Sequence, residues 1–367
     1  MTSQDVQRLF TRDTPEAYRF FTRGLDVEKI RREPWYRRWW IYSRELFVRF
    51  SMRLSPARRI LYATAIIFTA VGLLELFRGV ESMRVLVFPF HLSIPLPEWP
   101  RGTMKLLVGF VAMQLLMLME IADRLSLKGE LEVARDIQLA MLPRGISELG
   151  NARACGLTRP ANTVGGDFYD ILTLPDGRVI ITVGDVAGKG SPAALLMALL
   201  LAMMRTLVDE GLESARLLAR LNVQIVRHSP GSRFITLFYV LYDPRTGHME
   251  YVNAGHLPPI IHRKDGSFER LTSGNIALGM FEGSTYESHH AELHPGDALV
   301  LYSDGITEAE NTSGVAFDEA GLTGVITATG SHEPEVLGRA VLAAVDQHAG
   351  DARLGDDLTV LVLSRTS

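Results

Sequence analysis

Cysteine is nearly absent from this sequence: Cys155 is the only one among 367 residues. An intrachain disulfide is therefore impossible, and an oxidising compartment is not implied. The sequence also lacks an uncharged apolar run of the ~20 residues that a membrane helix usually needs. A cleavable signal peptide is not recognisable either, because the first apolar run comes only after about sixty residues.

Charge is unevenly distributed along the chain. The formal net charge is only -4, but residues 1–59 are rich in arginine, so the remainder is acidic. The arginines of this segment include three adjacent pairs, Arg31-Arg32, Arg37-Arg38 and Arg58-Arg59. Such a basic segment is typical of binding to nucleic acid or to an anionic membrane surface. Its neighbours are tryptophans and apolar segments, which favours a membrane, and we expect no nucleic-acid partner.

Residues 35–53, WYRRWWIYSRELFVRFSMR, interleave aromatic residues with arginine. This pattern is typical of a helix lying at a bilayer interface, although an amphipathic helix packed on protein would show it too. Residues 1–59 are therefore interpreted as a basic cytoplasmic or interfacial segment, and Thr14-Pro15-Glu16 within it predicts a helix start.

Two apolar segments follow, residues 60–77 and 104–121. Their uncharged cores are short, but Glu75, Lys105 and Glu120 lie near the segment ends, where charged side chains can reach water. We predict a two-helix membrane hairpin over residues 60–121, with a soluble helical dimerisation module as the alternative. Arginine is dense before the first segment, which by the positive-inside rule leaves both ends in the cytoplasm. The connector, residues 79–102, contains four prolines and predicts an irregular loop.

Residues 122–143 should continue the second segment as a linker helix. Leu127, Leu131, Ala134, Gln138 and Met141 recur at alternating spacings of four and three. This short heptad stripe, with one polar position, predicts a parallel two-stranded connector and hence a homodimer.

From residue 144 to 367 the composition is that of an α+β domain. Strands are predicted at 152–159, 168–174, 178–183, 234–242, 248–253, 259–263, 298–302 and 358–363. Helices are predicted at 192–208, 213–228 and 333–348. The strands come in hairpin-connected groups, which favours antiparallel sheets covered by helices over a regular alternating parallel fold.

Acids flanked by glycine recur at the strand ends of this domain. They lie in GGDFYD at 165–170, GDVAGKG at 184–190, SDG at 303–305 and GDD at 355–357. Glycine lets a ligand approach the backbone closely, and carboxylates are ligands that Mg²⁺ and Mn²⁺ prefer. We therefore expect these acids to converge on divalent metal ions.

A cluster of carboxylates needs protons or cations. Two unit charges about 4 Å apart repel by roughly 4 kcal/mol at an effective dielectric near 20. Two divalent ions would offset this repulsion, and Asp185 is the natural candidate to bridge them. Water between such ions is acidified and can attack phosphorus in line.

Three other motifs have simpler interpretations. GDVAGKGS at 184–191 resembles a phosphate-binding P-loop, but Lys189 is followed by Gly190 rather than by Ser or Thr. Cys155 lies in an apolar strand and is predicted to be a core residue. His256 could orient a substrate or act as a general acid, but a lone histidine in a turn is more often structural.

The motifs taken together resemble a known family. GGDFYD, GDVAGKG, NAGHLPP at 253–259, SDGITEA at 303–309 and GDDLTVLVL at 355–363 occur in the order seen in metal-dependent Ser/Thr protein phosphatases. They are similar to the branch typified by the RsbU and stage II sporulation E phosphatases, and ELEVARDIQLAMLP at 130–143 resembles the linker helix of that branch. The resemblance covers about residues 122–367 and implies an α-β-β-α sandwich of two antiparallel sheets.

The resemblance also implies the site. Asp185 would bridge two Mn²⁺ or Mg²⁺ ions, with the Val186 carbonyl as a further ligand. Asp167 would serve one metal, while Asp304 and Asp356 serve the other, with Asp357 as the competitor of Asp356. It further implies phosphoserine or phosphothreonine substrates, commonly STAS-type anti-sigma-factor antagonists, and dimerisation through the linker helix. The amino-terminal basic and apolar segments, which the resemblance does not cover, predict a place at the bacterial cytoplasmic membrane with the catalytic domain in the cytoplasm.

Two other functions are compatible with this pattern. One is a non-catalytic scaffold of the same fold that binds a phosphoprotein. The other is a phosphohydrolase that acts on small phosphate esters.

Overall fold

The computed structural model describes residues 34–78, 80–87, 90–97, 99–229 and 233–366. The chain separates into two compact units, Met1–Ser126 and Leu127–Ser367. The helix start predicted at residues 14–16 lies outside the described residues.

The amino-terminal unit is mainly helical. Its elements are α1 (Trp35–Arg53), α2 (Pro56–Arg78), β1 (Val80–Val87), β2 (Phe90–Pro97) and the first part of α3 (Trp99–Met141). The predicted helix over residues 35–53 is present with those bounds. Helix α3 is 43 residues long and runs without a break from the second apolar segment through the predicted linker.

The connector between α2 and α3 is not the irregular loop that its prolines predicted. β1 and β2 pair antiparallel over their whole length, with Pro95 opposite Ser82 and Pro97 opposite Val80. A two-stranded ribbon leaves each strand one free edge, so a residue without an N–H can be tolerated there. The prediction of a loop was therefore wrong.

Small residues let α2 and α3 approach closely. A Cβ added to Gly72 would lie 2.9 Å from the carbonyl oxygen of Gly102, and one added to Gly109 would lie 3.0 Å from that of Ala65. Ala65 and Ala112 are buried accordingly. Close contact of this kind through small residues is typical of helices that pack in a membrane.

The charged residues near the ends of the two apolar segments pair with one another. Glu75 forms an ion pair with Lys105. Arg58 donates from Nη1 and Nη2 to the two carboxylate oxygens of Asp123, at 2.5 Å and 3.0 Å, and its Nη1 lies 3.9 Å from Glu120. The pairs tie α2 to α3 near both ends of the hairpin.

By length and composition, three helical stretches among the described residues could cross a membrane. They are Pro56–Leu76, Gly102–Met141 and Ser191–Asp209. The third belongs to the carboxy-terminal unit, where it packs against a sheet and buries six residues of one face.

The carboxy-terminal unit contains two antiparallel sheets. The six-stranded sheet has the order β10 (Phe268–Arg270), β9 (Ile260–His262), β12 (Ala298–Tyr302), β13 (Leu358–Arg365), β4 (Ala152–Arg159), β3 (Ile146–Glu148). The five-stranded sheet has the order β11 (His289–Glu292), β8 (His248–Ala254), β7 (Ile235–Tyr242), β6 (Val179–Val186), β5 (Phe168–Thr173). The helices are α4 (Ser191–Asp209), α5 (Ser214–His228), α6 (Asp304–Thr307), α7 (Asp318–Thr329) and α8 (Pro334–Ala349).

The layers form because successive side chains along each strand point to opposite faces of the sheet. In β12, Leu299 and Leu301 belong to the core that the two sheets share, whereas Val300 and Tyr302 belong to a second core beneath α7 and α8. Successive side chains of a strand point to opposite faces, so a wholly apolar strand such as this one is buried on both sides. Helices α4 and α5 cover the five-stranded sheet in the same way. The predicted α-β-β-α sandwich is confirmed.

Candidate metal centre

The four predicted acids lie at the ends of strands from both sheets. Asp167 immediately precedes β5, and Asp185 is the penultimate residue of β6, both in the five-stranded sheet. Asp304 immediately follows Ser303 at the end of β12, and Asp356 lies two residues before β13, both in the six-stranded sheet. β5 pairs with β6 and β12 pairs with β13, so each sheet contributes two acids.

Glycine lets these strand ends approach one another. A Cβ on Gly166 would lie 2.8 Å from the Oδ1 atom of Asp185 and 2.9 Å from the carbonyl oxygen of Val186. A Cβ on Gly165 would overlap the carboxylate of Asp357, and one on Gly305 would overlap its backbone carbonyl. A side chain at these positions would meet its neighbours, which explains the glycines beside Asp167 and Asp304, whereas a Cβ on Gly355, beside Asp356, would meet open space.

The carboxyl groups influence one another electrostatically. Burial, followed by the charges of Asp304 and Asp356, raises the pKa of Asp185 to about 7. Burial and the charge of Asp185 raise the pKa of Asp167 well above its usual range. The pKa of Asp304 is raised by burial, with Glu308 and Asp356 contributing. The acids therefore lie near enough to affect one another's pKa values, and their joint binding of metal ions stays a prediction.

The two acids of the last motif have different surroundings. Asp357 is buried and accepts hydrogen bonds from the backbone N–H groups of Ala161 and Gly166, both at 2.7 Å. The Asp356 carboxylate is partly exposed and lies 2.8 Å from the Nζ atom of Lys189. Asp357 therefore holds the chain together locally and also raises the pKa values of Asp167 and Asp185, whereas Asp356 pairs with Lys189 and raises those of Asp185 and Asp304.

The donor set suits a hard divalent cation. It consists of carboxylate oxygens and one backbone carbonyl, the ligands that Mg²⁺ and Mn²⁺ prefer. The Oδ2 atom of Asp167 is buried without a hydrogen-bond partner, which is costly for a polar atom unless a cation or proton satisfies it. In the part of the chain that the structure describes, however, no three His, Cys, Asp or Glu side chains already form a set that could hold a metal ion.

A cavity of about 300 Å³ opens beside Asp185 and Asp304. His256 lines it and shares a 3.0 Å hydrogen bond through Nδ1 with Thr236 Oγ1. The backbone N–H of His256 donates to Asn253 Oδ1 at 2.8 Å. Burial lowers the pKa of His256 to about 4, so the ring is neutral at pH 7 and cannot serve as a cationic general acid. The structural interpretation of His256 is favoured.

Lys189 lies beside Asp356, and Arg233 lies beside the loop that follows Asp185. Besides its contact with Asp356, Lys189 donates to the Gly355 carbonyl at 2.6 Å. The Arg233 Nη1 atom is buried and has no hydrogen-bond partner among the described residues. It lies 3.1 Å from where a Cβ on Gly188 would sit, so the guanidinium packs against the glycine-rich loop that follows Asp185.

Sequence reasoning missed several residues of this region. Glu308 lines the cavity beside Asp304, and its position four residues after Asp304 was the available signal, since such residues share one helical face. Arg233 gave no signal, because it contacts the loop only through the pairing of neighbouring strands. Lys189 was considered only as part of a P-loop.

Gln138 was assigned to a helix–helix seam, but it contacts the metal-site loop of its own chain instead. It is buried and hydrogen bonded to Gly165. Met141, at the end of the same stripe, packs against the core that the two sheets share. The carboxy-terminal part of the stripe is therefore used within the chain.

Comparison with known proteins gives a consistent result. The sequence profile of the Stage II sporulation protein E (SpoIIE) family matches residues 175–366, just over half of the chain. Protein IcfG of Synechocystis sp. is 29% identical over 263 residues, which are 64% of this chain and 41% of that protein. Phosphoserine phosphatase RsbU of Bacillus subtilis is 28% identical over 241 residues, 65% of this chain and 71% of that protein. The chain thus spans less than half of IcfG.

A solved structure shares the fold. The SiaA-PP2C domain of Pseudomonas aeruginosa superposes with a TM-score of 0.59 at 24% identity, covering 66% of this chain and 98% of that domain. The two-sheet sandwich is therefore of the PP2C type. With its acids at the ends of strands from both sheets and its profile match over most of this domain, the chain belongs to the Stage II sporulation protein E family.

Proposed function

We propose that the carboxy-terminal unit is a metal-dependent protein phosphatase that hydrolyses phosphoserine and phosphothreonine. The observation that carries this proposal is the group of acids Asp167, Asp185, Asp304 and Asp356, which two sheets supply to one site and three of which have raised pKa values. The similarity to RsbU, a named phosphoserine phosphatase, supports the same chemistry.

The acids would hold two divalent ions, Mn²⁺ or Mg²⁺. Asp185, which faces both Asp167 and the Asp304–Asp356 pair electrostatically, takes the bridging position, and the Val186 carbonyl beside Gly166 adds an oxygen ligand. Asp167 serves one ion, and Asp304 and Asp356 serve the other. When bound, such ions acidify water and offset the negative charge of a phosphoryl group.

The protein's own groups position the substrate. Arg233 provides a guanidinium whose buried Nη1 has no other described partner, and guanidinium groups bind phosphate oxygens in a bidentate manner. Thr236 and neutral His256 form one wall of the cavity, and Glu308 beside Asp304 can accept a proton or hold water. We assign phosphate binding to Arg233 and water positioning to Glu308.

The substrate is proposed to be a phosphorylated protein of the STAS type, and the active form a homodimer formed through the linker helix. The exposed apolar residues Leu127, Val133 and Ile137 on α3 support such a contact, because exposed apolar side chains along a helix favour burial against a partner. The same helix contact between the two chains is proposed to control the phosphatase activity.

The amino-terminal unit is proposed to anchor the protein in the bacterial cytoplasmic membrane, with the catalytic unit in the cytoplasm. Residues Pro56–Leu76 and the first part of Gly102–Met141 have suitable length and apolarity, and the close glycine contacts between them fit a membrane hairpin. Extraction of the full chain by carbonate without detergent would contradict the anchor.

The decisive experiment is an assay of the full chain in detergent with Mn²⁺ and a phosphoserine peptide. We expect phosphate release that a chelator abolishes and that Asp185→Asn removes, whereas Asp351→Asn, at an exposed acid five residues from Asp356, has no effect. Binding of the phosphopeptide without release in saturating Mn²⁺ would indicate the scaffold. Faster hydrolysis of a nucleotide than of the peptide would indicate a small-ester hydrolase.

A further inference from the structure

The carboxy-terminal end of helix α3 contains one glutamine that is buried where its neighbours are exposed. Gln138 is only 6% exposed, whereas Val133 and Ile137 on the same helix are about 60% exposed. A buried amide must find hydrogen-bond partners, because an unsatisfied one is costly. The hydrogen-bond partners of Gln138 therefore show which part of the chain the helix end packs against.

The nitrogen and the oxygen of the Gln138 side-chain amide both form hydrogen bonds with one residue, Gly165. The Nε2 atom donates to the Gly165 carbonyl at 2.9 Å, and the Gly165 N–H donates to Oε1 at 3.3 Å. The side chain thus pairs with a glycine backbone as a neighbouring strand would. Gly165 lies two residues before Asp167, and Gly166 between them lies against Asp185 and Val186.

Further contacts hold the same two segments together. The Tyr169 hydroxyl donates to the Pro143 carbonyl at 2.8 Å. Arg205 donates from Nη2 to the Met141 carbonyl at 2.6 Å, and from Nε to Asp170 at 2.8 Å. The helix end and the GGDFYD segment are therefore fastened at three points, and Gln138 is the one that bonds the backbone before Asp167.

We propose that Gln138 is a positioning residue for the metal centre, fixing the Gly165–Asp167 backbone so that the Asp167 carboxylate points at the other acids. This inference rests on the proposed function and names a contact through which the linker helix acts on the site. The polar position of the heptad stripe is used inside the chain rather than across a helix pair.

The contact is sensitive to the register of the helix. A slide by one residue moves a helical side chain by 1.5 Å along the axis and, with the accompanying turn, by about 100° around it. Either movement breaks both hydrogen bonds of Gln138, because they require the amide plane to face the Gly165 peptide. The order of the loop that carries Asp167 therefore depends on the position of α3 along its axis and on its rotation.

The test uses the full chain in detergent with Gln138→Leu, which removes both hydrogen bonds, and Gln138→Glu, which keeps an acceptor for the Gly165 N–H but places a carboxylate oxygen against its carbonyl. Gln347→Leu, at an exposed position of α8, is the matched control. Mn²⁺ binding is measured by calorimetry, and hydrogen exchange of residues 160–175 is measured in chelator.

Removing a residue that orients a metal ligand typically weakens binding by about 10- to 100-fold, and we expect the Mn²⁺ dissociation constant to rise by that factor in both Gln138 variants. Exchange of residues 160–175 should be faster in both, and activity should recover at saturating Mn²⁺. Gln347→Leu should match the wild type in every measurement.

Wild-type Mn²⁺ affinity and wild-type exchange in both Gln138 variants would overturn the inference while leaving the phosphatase proposal intact. A wild-type chain that neither binds Mn²⁺ nor releases phosphate would overturn both. If Gln138→Leu unfolds more readily than Gln347→Leu in a thermal melt, Gln138→Glu alone decides between these outcomes.

Discussion

The carboxylate of Asp357 accepts a hydrogen bond from the backbone N–H of Gly166 at 2.7 Å. This bond joins the last strand of one sheet to the loop that carries Asp167 in the other. Asp357 is thereby committed to holding the two halves of the site in place, and its neighbour Asp356 is left as the candidate ligand.

Substitution of Asp357 should therefore mainly lower the stability of the fold, whereas substitution of Asp356 should mainly lower the affinity for metal ions. Asp357→Ala leaves buried N–H groups of Ala161 and Gly166 without an acceptor, so we expect the free energy of unfolding to fall by about 2–4 kcal/mol. Asp356→Asn removes a partly exposed partner of Lys189 and should cost less than about 1 kcal/mol, while Mn²⁺ affinity drops. Urea unfolding in chelator and Mn²⁺ calorimetry measure the two effects. Equal losses of stability in both variants would contradict the division of roles.

Removal of the Asp185 carboxylate, which we propose to bridge the metal ions, should change stability and activity in opposite directions. Loss of an orienting residue already costs about 10- to 100-fold, so Asp185→Asn should reduce phosphopeptide turnover by about 100-fold or more. The same change relieves repulsion with Asp304 and Asp356, so the metal-free variant should be more stable than the wild type at pH 8. Steady-state kinetics and denaturant unfolding test both, with Asp351→Asn as the control. An Asp185→Asn chain that is less stable than the wild type would contradict the proposed repulsion between the carboxylates of the site.

The raised pKa of Asp185 should make the metal-free chain less stable as pH rises, while the lowered pKa of His256 acts in the opposite direction between about pH 4 and 6.5. The folded pKa of Asp185 is about 7 against an ordinary 3.8, so between about pH 4 and 7 the folded state binds more protons than the unfolded state. Stability decreases with pH wherever the folded state holds the extra protons, and a pKa difference of one unit corresponds to about 1.4 kcal/mol. The raised pKa values of Asp167 and Asp304 act in the same direction.

Unfolding followed by circular dichroism in chelator from pH 4 to 8 measures this slope. Asp185→Asn should flatten it. Added Mn²⁺ should stabilise the chain more at pH 8 than at pH 6, because ligands must lose their protons to bind a metal. The same pH slope in the wild type and in Asp185→Asn would contradict the raised pKa of Asp185.

Arg233 should act on substrate binding. A charge-assisted hydrogen bond is worth about 1.5–3 kcal/mol, and 1.4 kcal/mol is a factor of ten. We therefore expect Arg233→Ala to raise the KM for a phosphopeptide by about tenfold or more, with a partial recovery in Arg233→Lys, which keeps the charge but loses the planar fork. Arg216→Ala, at an exposed position on α5, is the control. An unchanged KM in Arg233→Ala would contradict the assignment of phosphate binding to Arg233.

Local patterns predicted most of the regular structure. The alternation and apolarity of strands such as Ala298–Tyr302 were visible in the sequence, and that strand was predicted with its observed bounds. The hairpin at residues 80–97 was not, because its three prolines are ordinarily loop signals and only pairing between the two strands makes the ribbon.

Residue types and strand periodicity, which are both local features, were enough to predict acids flanked by glycine at the ends of strands. The family resemblance favoured Asp356 over Asp357 as a ligand, but the local pattern around the two acids gives no reason of its own for that choice. Only the tertiary structure shows that Ala161 and Gly166 donate to Asp357. Only the tertiary structure shows, too, that Gln138 bonds Gly165, 27 positions away, because that contact depends on how a helix end packs on the sheet and heptad spacing carries no information about it.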